Sequence, residues 1–171
     1  PENDPPAIIS HAGQSPYGLD VKENSTFVTD VNGTDAEQDD LNYTIDSQAT
    51  NDSVFFNINK TSGALSFNYP TNFENPEDKD SNNTYEVVVV VSEVGNLDYN
   101  DTQTIIVTVT DENDPPEILE RLTVTVFMDE DNNTLGWRDP ELEAVDPDLN
   151  QTATLSWKIW DATNGVWDVS A

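Results

Sequence analysis

One acidic string occurs twice in this chain. Pro1-Glu2-Asn3-Asp4-Pro5-Pro6-Ala7-Ile8 is followed, 110 residues later, by Asp111-Glu112-Asn113-Asp114-Pro115-Pro116-Glu117-Ile118. The chemistry open to such a string is cation ligation. Calcium takes about six to eight oxygens, drawn from carboxylates, amide carbonyls and backbone carbonyls. Asp-x-Asn-Asp-Pro offers all three kinds, and proline withholds a backbone donor where only acceptors are wanted. Other acids gather around residues 22–24, 34–40 and 72–80. Carboxylates held together raise each other's pKa or repel unless a divalent cation sits among them. Any one run could be a solvated face. Recurrence at the spacing of a small domain favours calcium and marks the octapeptide as a joint between repeats.

Strands must position these loops. Thr104–Asp111 alternates, with Ile105, Val107 and Val109 on one face. Thr84–Ser92 does the same with Tyr85, Val87, Val89 and Val91. Leu41–Ile45, Val54–Ile58 and Ala64–Phe67 read as shorter strands, separated by turn-forming residues such as Asn59-Lys60-Thr61-Ser62-Gly63. No stretch has convincing helical periodicity. Roughly seven short strands in such a length is the pattern of a Greek-key sandwich, so the fold class is all-β. Leu122–Met128, Leu155–Trp160 and the segment from Gly165 onward repeat the pattern. The 55 residues from Glu117 to Ala171 are about half a repeat. Half a sandwich leaves an open edge and a half-covered core. Either the polypeptide continues or another chain supplies the missing strands. The chain opens inside a linker with no signal peptide, as a piece of something longer would.

Charge and composition narrow the partners. The net charge is −28, from 34 acids and 6 bases, which repels nucleic acid and anionic membranes. The chain has no cysteine, hence no disulfide, thiolate metal site or thiol nucleophile. No apolar run approaches the roughly 18 residues of a spanning helix. The sole histidine, His11, lies in a Gly- and Ser-containing opening segment. Nucleophile motifs and Gly-rich phosphate loops are missing, so the reading is not an enzyme. Trp137, Trp157, Trp160 and Trp167 all lie in the second segment. Trp157 alternates with Leu155 and Ile159 as a core residue would, while Trp160 falls on the other face, where a sugar platform would need it.

The order and spacing of several motifs identify a resemblance. Val21-Lys22-Glu23-Asn24, Thr34-Asp35-Ala36-Glu37, residues 56–65, Asn72-Phe73-Glu74, residues 91–95 and residues 111–118 together resemble a cadherin repeat over residues 7–116. Residues 73–89 are more similar to microbial cadherin-like variants. Residues 128–134 and 144–157 look like a divergent cadherin-like domain of large microbial surface proteins. The resemblance implies four segments: residues 1–6 ending a preceding calcium linker, 7–110 a complete repeat, 111–116 a calcium linker, and 117–171 the first half of a second domain.

It also implies the calcium ligands. Glu23 matches the acid that bridges two ions. Asn72 and Glu74 stand where the family has Asp-Arg-Glu, so one carboxylate is lost. Asp111, Asn113 and Asp114 match the linker ligands, with backbone oxygens from Glu112 and Pro115. Asp146 and Asp148 match the Asp-x-Asp of the following domain. Asp35 and Glu37 take that role toward the N-terminal linker with Asn3, and Glu93 replaces the usual Asp. Asp78 and Asp80 leave two readings open, a further ion or a solvated loop.

Nine Asn-x-Ser/Thr sequons stand at Asn24, Asn32, Asn42, Asn51, Asn59, Asn82, Asn100, Asn132 and Asn150. Its 19 Asn and 29 Ser and Thr would give about three by chance. Occupied, they mark an extracytoplasmic glycoprotein. The combined expectation is an extracellular, calcium-rigidified tandem of sandwiches at the cell surface, with an adhesive and spacing role. Its partners would be calcium ions and neighbouring repeats or like chains. The alternatives are an N-glycosylated filament subunit completed by strands of neighbours, and a carbohydrate-binding module recognising surface glycans.

Overall fold

The computed structural model describes residues 3–119, 144–148, 158–161 and 165–168. The chain divides into two compact units, Pro1–Glu112 and Asn113–Ala171, with the boundary inside the predicted linker.

In the first unit, nine strands run in chain order: β1 (Ala7–Ile8), β2 (Tyr17–Lys22), β3 (Phe27–Asp30), β4 (Gly33–Thr34), β5 (Leu41–Ile45), β6 (Phe56–Ile58), β7 (Ala64–Phe67), β8 (Thr84–Glu93) and β9 (Asn96–Thr110). One sheet has the order β2-β9-β8-β5, a second the order β3-β7-β6, and β1 pairs with β4. All pairings are antiparallel except β2 with β9, where Tyr17–Lys22 runs parallel to Ile105–Thr110. The core follows from the period-two pattern. Val87, Val89 and Val91 of β8 and Ile105 and Val107 of β9 are fully buried, against Leu65 and Phe67 of the other sheet. Tyr85 joins the layers, its ring lying edge-on to Phe67 with centroids 5.2 Å apart and to Phe55 at 5.6 Å. Burial raises the Tyr85 hydroxyl above its ordinary pKa, although its oxygen accepts the Glu77 N–H.

Gly63 holds the turn between β6 and β7. Its φ is +72°, and a Cβ there would sit 2.0 Å from the Val31 carbonyl oxygen. The predicted Asn59–Gly63 turn therefore needs glycine for both conformation and space.

One predicted element changes. Residues 54–58 do not form a single strand. Asp52–Phe55 is a 3₁₀ turn and only Phe56–Ile58 is extended. The cause is Asp52, whose buried carboxylate accepts the Lys79 and Glu86 N–H groups and pulls the chain out of the sheet. Strands β2 and β3 have no counterpart in the sequence reading. His11 lies in a tight turn (Ser10–Gly13), stacked on Tyr17 with centroids 3.7 Å apart.

In the second unit, β10 (Glu117–Ile118) pairs with β11 (Ala144–Val145). The strands β12 (Lys158–Asp161) and β13 (Gly165–Asp168) form a hairpin in which Trp160 opposes Val166 and Trp167 opposes Ile159. The predicted strand 122–128, Trp137, Trp157, Asn132 and Asn150 lie outside the described residues. Among the described residues, no helix is long and apolar enough to cross a membrane.

Candidate metal centres

The acidic loops of the first unit sort to opposite ends of the β8–β9 hairpin. The strand rise over Thr84–Glu93 separates them by roughly 30 Å. At one end, Glu23 directly follows β2, and its N–H donates to the Thr110 carbonyl. Glu23 is 1% exposed. Its Oε2 accepts the Phe73 N–H at 2.8 Å and its Oε1 accepts the Glu112 N–H at 2.9 Å. One carboxylate thereby fastens residues 72–74 and 110–112 together. Glu74 then presents a carboxylate oxygen within 4.8 Å of one on Glu23, and likewise of one on Asp111. Each bonded oxygen of Glu23 has a second lone pair for a cation. Asn72 Oδ1 accepts the Asn75 N–H at 2.7 Å and caps the turn. The Glu112 side chain pairs with Lys22 at 2.6 Å on the exposed surface.

At the other end, Asn3, Asp35, Glu37 and Glu93 come together. The Asn3 amide nitrogen donates to Glu93 Oε1 at 2.7 Å, and Glu93 is 5% exposed. Asp35 Oδ1 accepts the N–H groups of Glu37 and Asp39. Asp35 Oδ2 is buried and has no hydrogen-bond partner. A buried carboxylate oxygen without a donor is costly in water-excluded surroundings and suits a cation.

The second unit rebuilds part of this frame. Ala7 opposes Thr34 in the first unit, and Glu117 opposes Val145 in the second. The Asp4 N–H donates to Glu37 Oε2 at 3.3 Å, and the Asp114 N–H donates to Asp148 Oδ2 at 2.9 Å. Asp35 Oδ1 accepts the Glu37 N–H at 2.9 Å, and Asp146 Oδ1 accepts the Asp148 N–H at 3.1 Å. Asp148 Oδ1 is again a buried oxygen with no hydrogen-bond partner. Asn113 and Pro115 flank Asp114 in this segment.

Asp78 and Asp80 separate from these groups. Asp78 is 4% exposed, so its loop is not simply solvated. Its Oδ2 accepts the Asn82 N–H and its Oδ1 the Asn83 N–H, closing a turn. Burial pushes its pKa up, but the Asn82 and Asn83 donors outweigh this and hold it below the ordinary 3.8. Two residues escaped the sequence reading. Asp101 accepts the Ile8 N–H at 2.8 Å and anchors β1, and Asp4 closes the repeated loop. The offset between Asp4 and Asp114 was the available signal for the second.

No protein-family model matches the chain. Mouse (Mus musculus) cadherin-23 is 28% identical over 165 residues, which are 92% of this chain and 5% of that protein. Human protocadherin gamma-C4 is 32% identical over 96 residues, 56% of this chain and 10% of that protein. The chain thus spans a small fraction of the curated relatives it matches. Among solved structures, domains EC1-2 of human protocadherin-24 align over 88% of this chain and 63% of that one, at 17% identity and a TM-score of 0.53. The Greek-key sandwich, the repeated acidic frame and these relatives agree: the chain is similar to cadherin repeats and shares their β-sandwich fold.

Proposed function

We propose that the chain is a calcium-binding, adhesive and spacing segment of a large cell-surface protein, with calcium stiffening the joint at residues 111–116. The observation that carries this reading is the pair of buried carboxylate oxygens on Asp35 and Asp148, neither of which has a hydrogen-bond donor. They sit in two copies of one loop frame, where a hard divalent cation supplies the missing partner. Asn3, Asp35, Glu37 and Glu93 would contribute to one centre. Glu23, Glu74 and Asp111, with Asn113, Asp114, Asp146 and Asp148 and the carbonyls of Glu112 and Pro115, would serve the joint. Asn72 would contribute there through the second lone pair of its Oδ1. Calcium neutralises carboxylates that otherwise repel, so the chain around them holds one conformation.

Small-angle scattering with calcium and with chelator tests the joint. The expected result is a longer, narrower distance distribution with calcium; superimposable curves rule out stiffening. The sequons form part of the same reading, as sites of N-linked sugar on an extracellular chain. Asn24, Asn32, Asn51, Asn59, Asn82 and Asn100 are exposed and Asn42 is half-buried, as acceptors need to be. Glycopeptide mass spectrometry of secreted protein tests them, and bare asparagines throughout would remove that part.

A further inference from the structure

The sequons are unevenly placed on the sandwich. Cross-strand partners share a face of a sheet. In β5, Tyr43 enters the core, so Asn42 and Thr44 point outward. Asn42 opposes Ser92 of β8, which opposes Asn100 of β9. Asn42 and Asn100 therefore stand in one row on the outer face of the four-stranded sheet, about 10 Å apart across two strand spacings. The next outward rows hold Thr44, Val90 and Thr102, then Val88 and Thr104, then Glu86 and Ile106. Val88, Val90 and Ile106 are half-buried, an apolar strip on an otherwise acidic molecule.

The far end of that strip meets a cleft of about 470 Å³, whose walls include Asn51, Asn82, Glu86 and Ile106. Hydrogen bonds tie its walls together. Thr50 donates to the Glu86 carbonyl at 2.6 Å, and Asp52 binds the Lys79 and Glu86 N–H groups. So Asn42 and Asn100 stand at one end of the outer strip, and Asn51 and Asn82 at the other.

The outer face of the three-stranded sheet is different. Its cross-strand row is Phe27, Ser66 and Asn57. None of these is a sequon asparagine, and Phe27 is 53% exposed. Asn32 and Asn59 fall just beyond the ends of β3 and β6, and Asn24 between β2 and β3.

We propose that N-linked oligosaccharides on Asn42, Asn51, Asn82 and Asn100 cover the outer face of the four-stranded sheet more fully than that of the three-stranded sheet, whose sequons stand only beyond its strand ends. This rests on the sequons being occupied. Bulky, solvated glycans at both ends of the strip would screen Val88, Val90 and Ile106 from contact with other chains. The first unit then has one sheet face covered by sugar and one more open to contact.

The test is secretion of the full chain from a host that installs N-linked glycans, with glycopeptide mass spectrometry giving the occupancy at each site. Hydroxyl-radical footprinting follows on the glycosylated protein and on the same protein after enzymatic trimming. Labelling of Val88, Val90 and Ile106 should rise severalfold on trimming, while Phe27 changes less than twofold. The Asn42→Gln/Asn100→Gln variant should unmask Val90 but leave Ile106 protected. Occupied sites with no rise at the strip, or with an equal rise at Phe27, overturn one-sided cover while glycosylation stands. Occupancy confined to Asn24, Asn32 and Asn59 has the same consequence. Bare asparagines at all nine sequons overturn both.

Discussion

The two acidic ends of the first unit hold their carboxylates by different means. Glu23 is gripped by backbone: the amides of Phe73 and Glu112 point at its two oxygens. Glu93 is met by a side chain, the amide of Asn3. Asp35, at the same end, rests one oxygen on the backbone amides of Glu37 and Asp39 and keeps the other buried without a donor. Backbone donors belong to the fold and cannot leave without unmaking it. A side-chain donor can rotate away when a cation arrives. Glu23 therefore combines a structural staple with a candidate ligand, Asp35 does so within its own turn, and Glu93 is the candidate ligand held by a side chain.

Substitutions can break that contrast. The largest effect is expected for Glu23→Ala. Loss of two charge-assisted hydrogen bonds in a buried position should cost about 3 kcal/mol even with chelator present, read from urea unfolding. An unchanged midpoint in chelator would reduce Glu23 to a ligand alone. Asp78→Asn should come next, at about 1–2 kcal/mol near neutral pH, because the new amide sets a donor against a backbone donor. The lowered pKa of Asp78 means that its stabilisation is present above the ordinary 3.8 and lost as pH falls through the folded-state value. The deficit of the variant should accordingly shrink on acidification, and a pH-independent deficit would contradict the assignment.

Asp35→Ala and Glu93→Ala should cost the chelated protein about 1 kcal/mol each, because the donors left behind, on exposed Glu37 and Asp39 or on the Asn3 side chain, can turn to water, and should act mainly on calcium. Calorimetry should show weakened calcium binding for both. The same titration ranks the other acids: Asp114→Ala and Glu23→Ala should weaken calcium binding more than Asp78→Ala. Equal losses would break the assignment of ligands. The smallest effect belongs to Asn72→Ala, about 0.5–1 kcal/mol from the lost turn cap, with little change in calcium binding. A large loss of affinity there would restore Asn72 as a principal ligand.

Much of the sandwich could be read from the chain because alternation is a local signal. Residues 84–92 and 104–110 place their valines and isoleucines on one face, and those side chains are the buried ones. The repeat of 110 residues likewise anticipates the matching loops at Asp4 and Asp114. Strand β2 was not anticipated. Tyr17, Leu19 and Val21 alternate as one face of a strand does, but what draws the segment into the sheet is the parallel strand β9, more than 80 residues away. The break at Asp52–Phe55 was hidden for the same reason, since its cause is a carboxylate bonded to Lys79 and Glu86.

The sequence by itself determined the all-β class, the repeated acidic string and the abundance of side-chain oxygens, because composition, period-two alternation and a repeated string are properties of neighbours along the chain. Tertiary structure decided which acids do what. Asp78 and Glu23 lie in similar acidic runs, yet Asp78 closes its own turn while Glu23 binds segments 50 and 89 residues away. The sorting of Asp35 and Glu93 to the opposite end from Glu23 also awaited the fold. A carboxylate's role is set by the donors and charges within a few ångströms of it, and those come from strands that meet only once the sheets have formed.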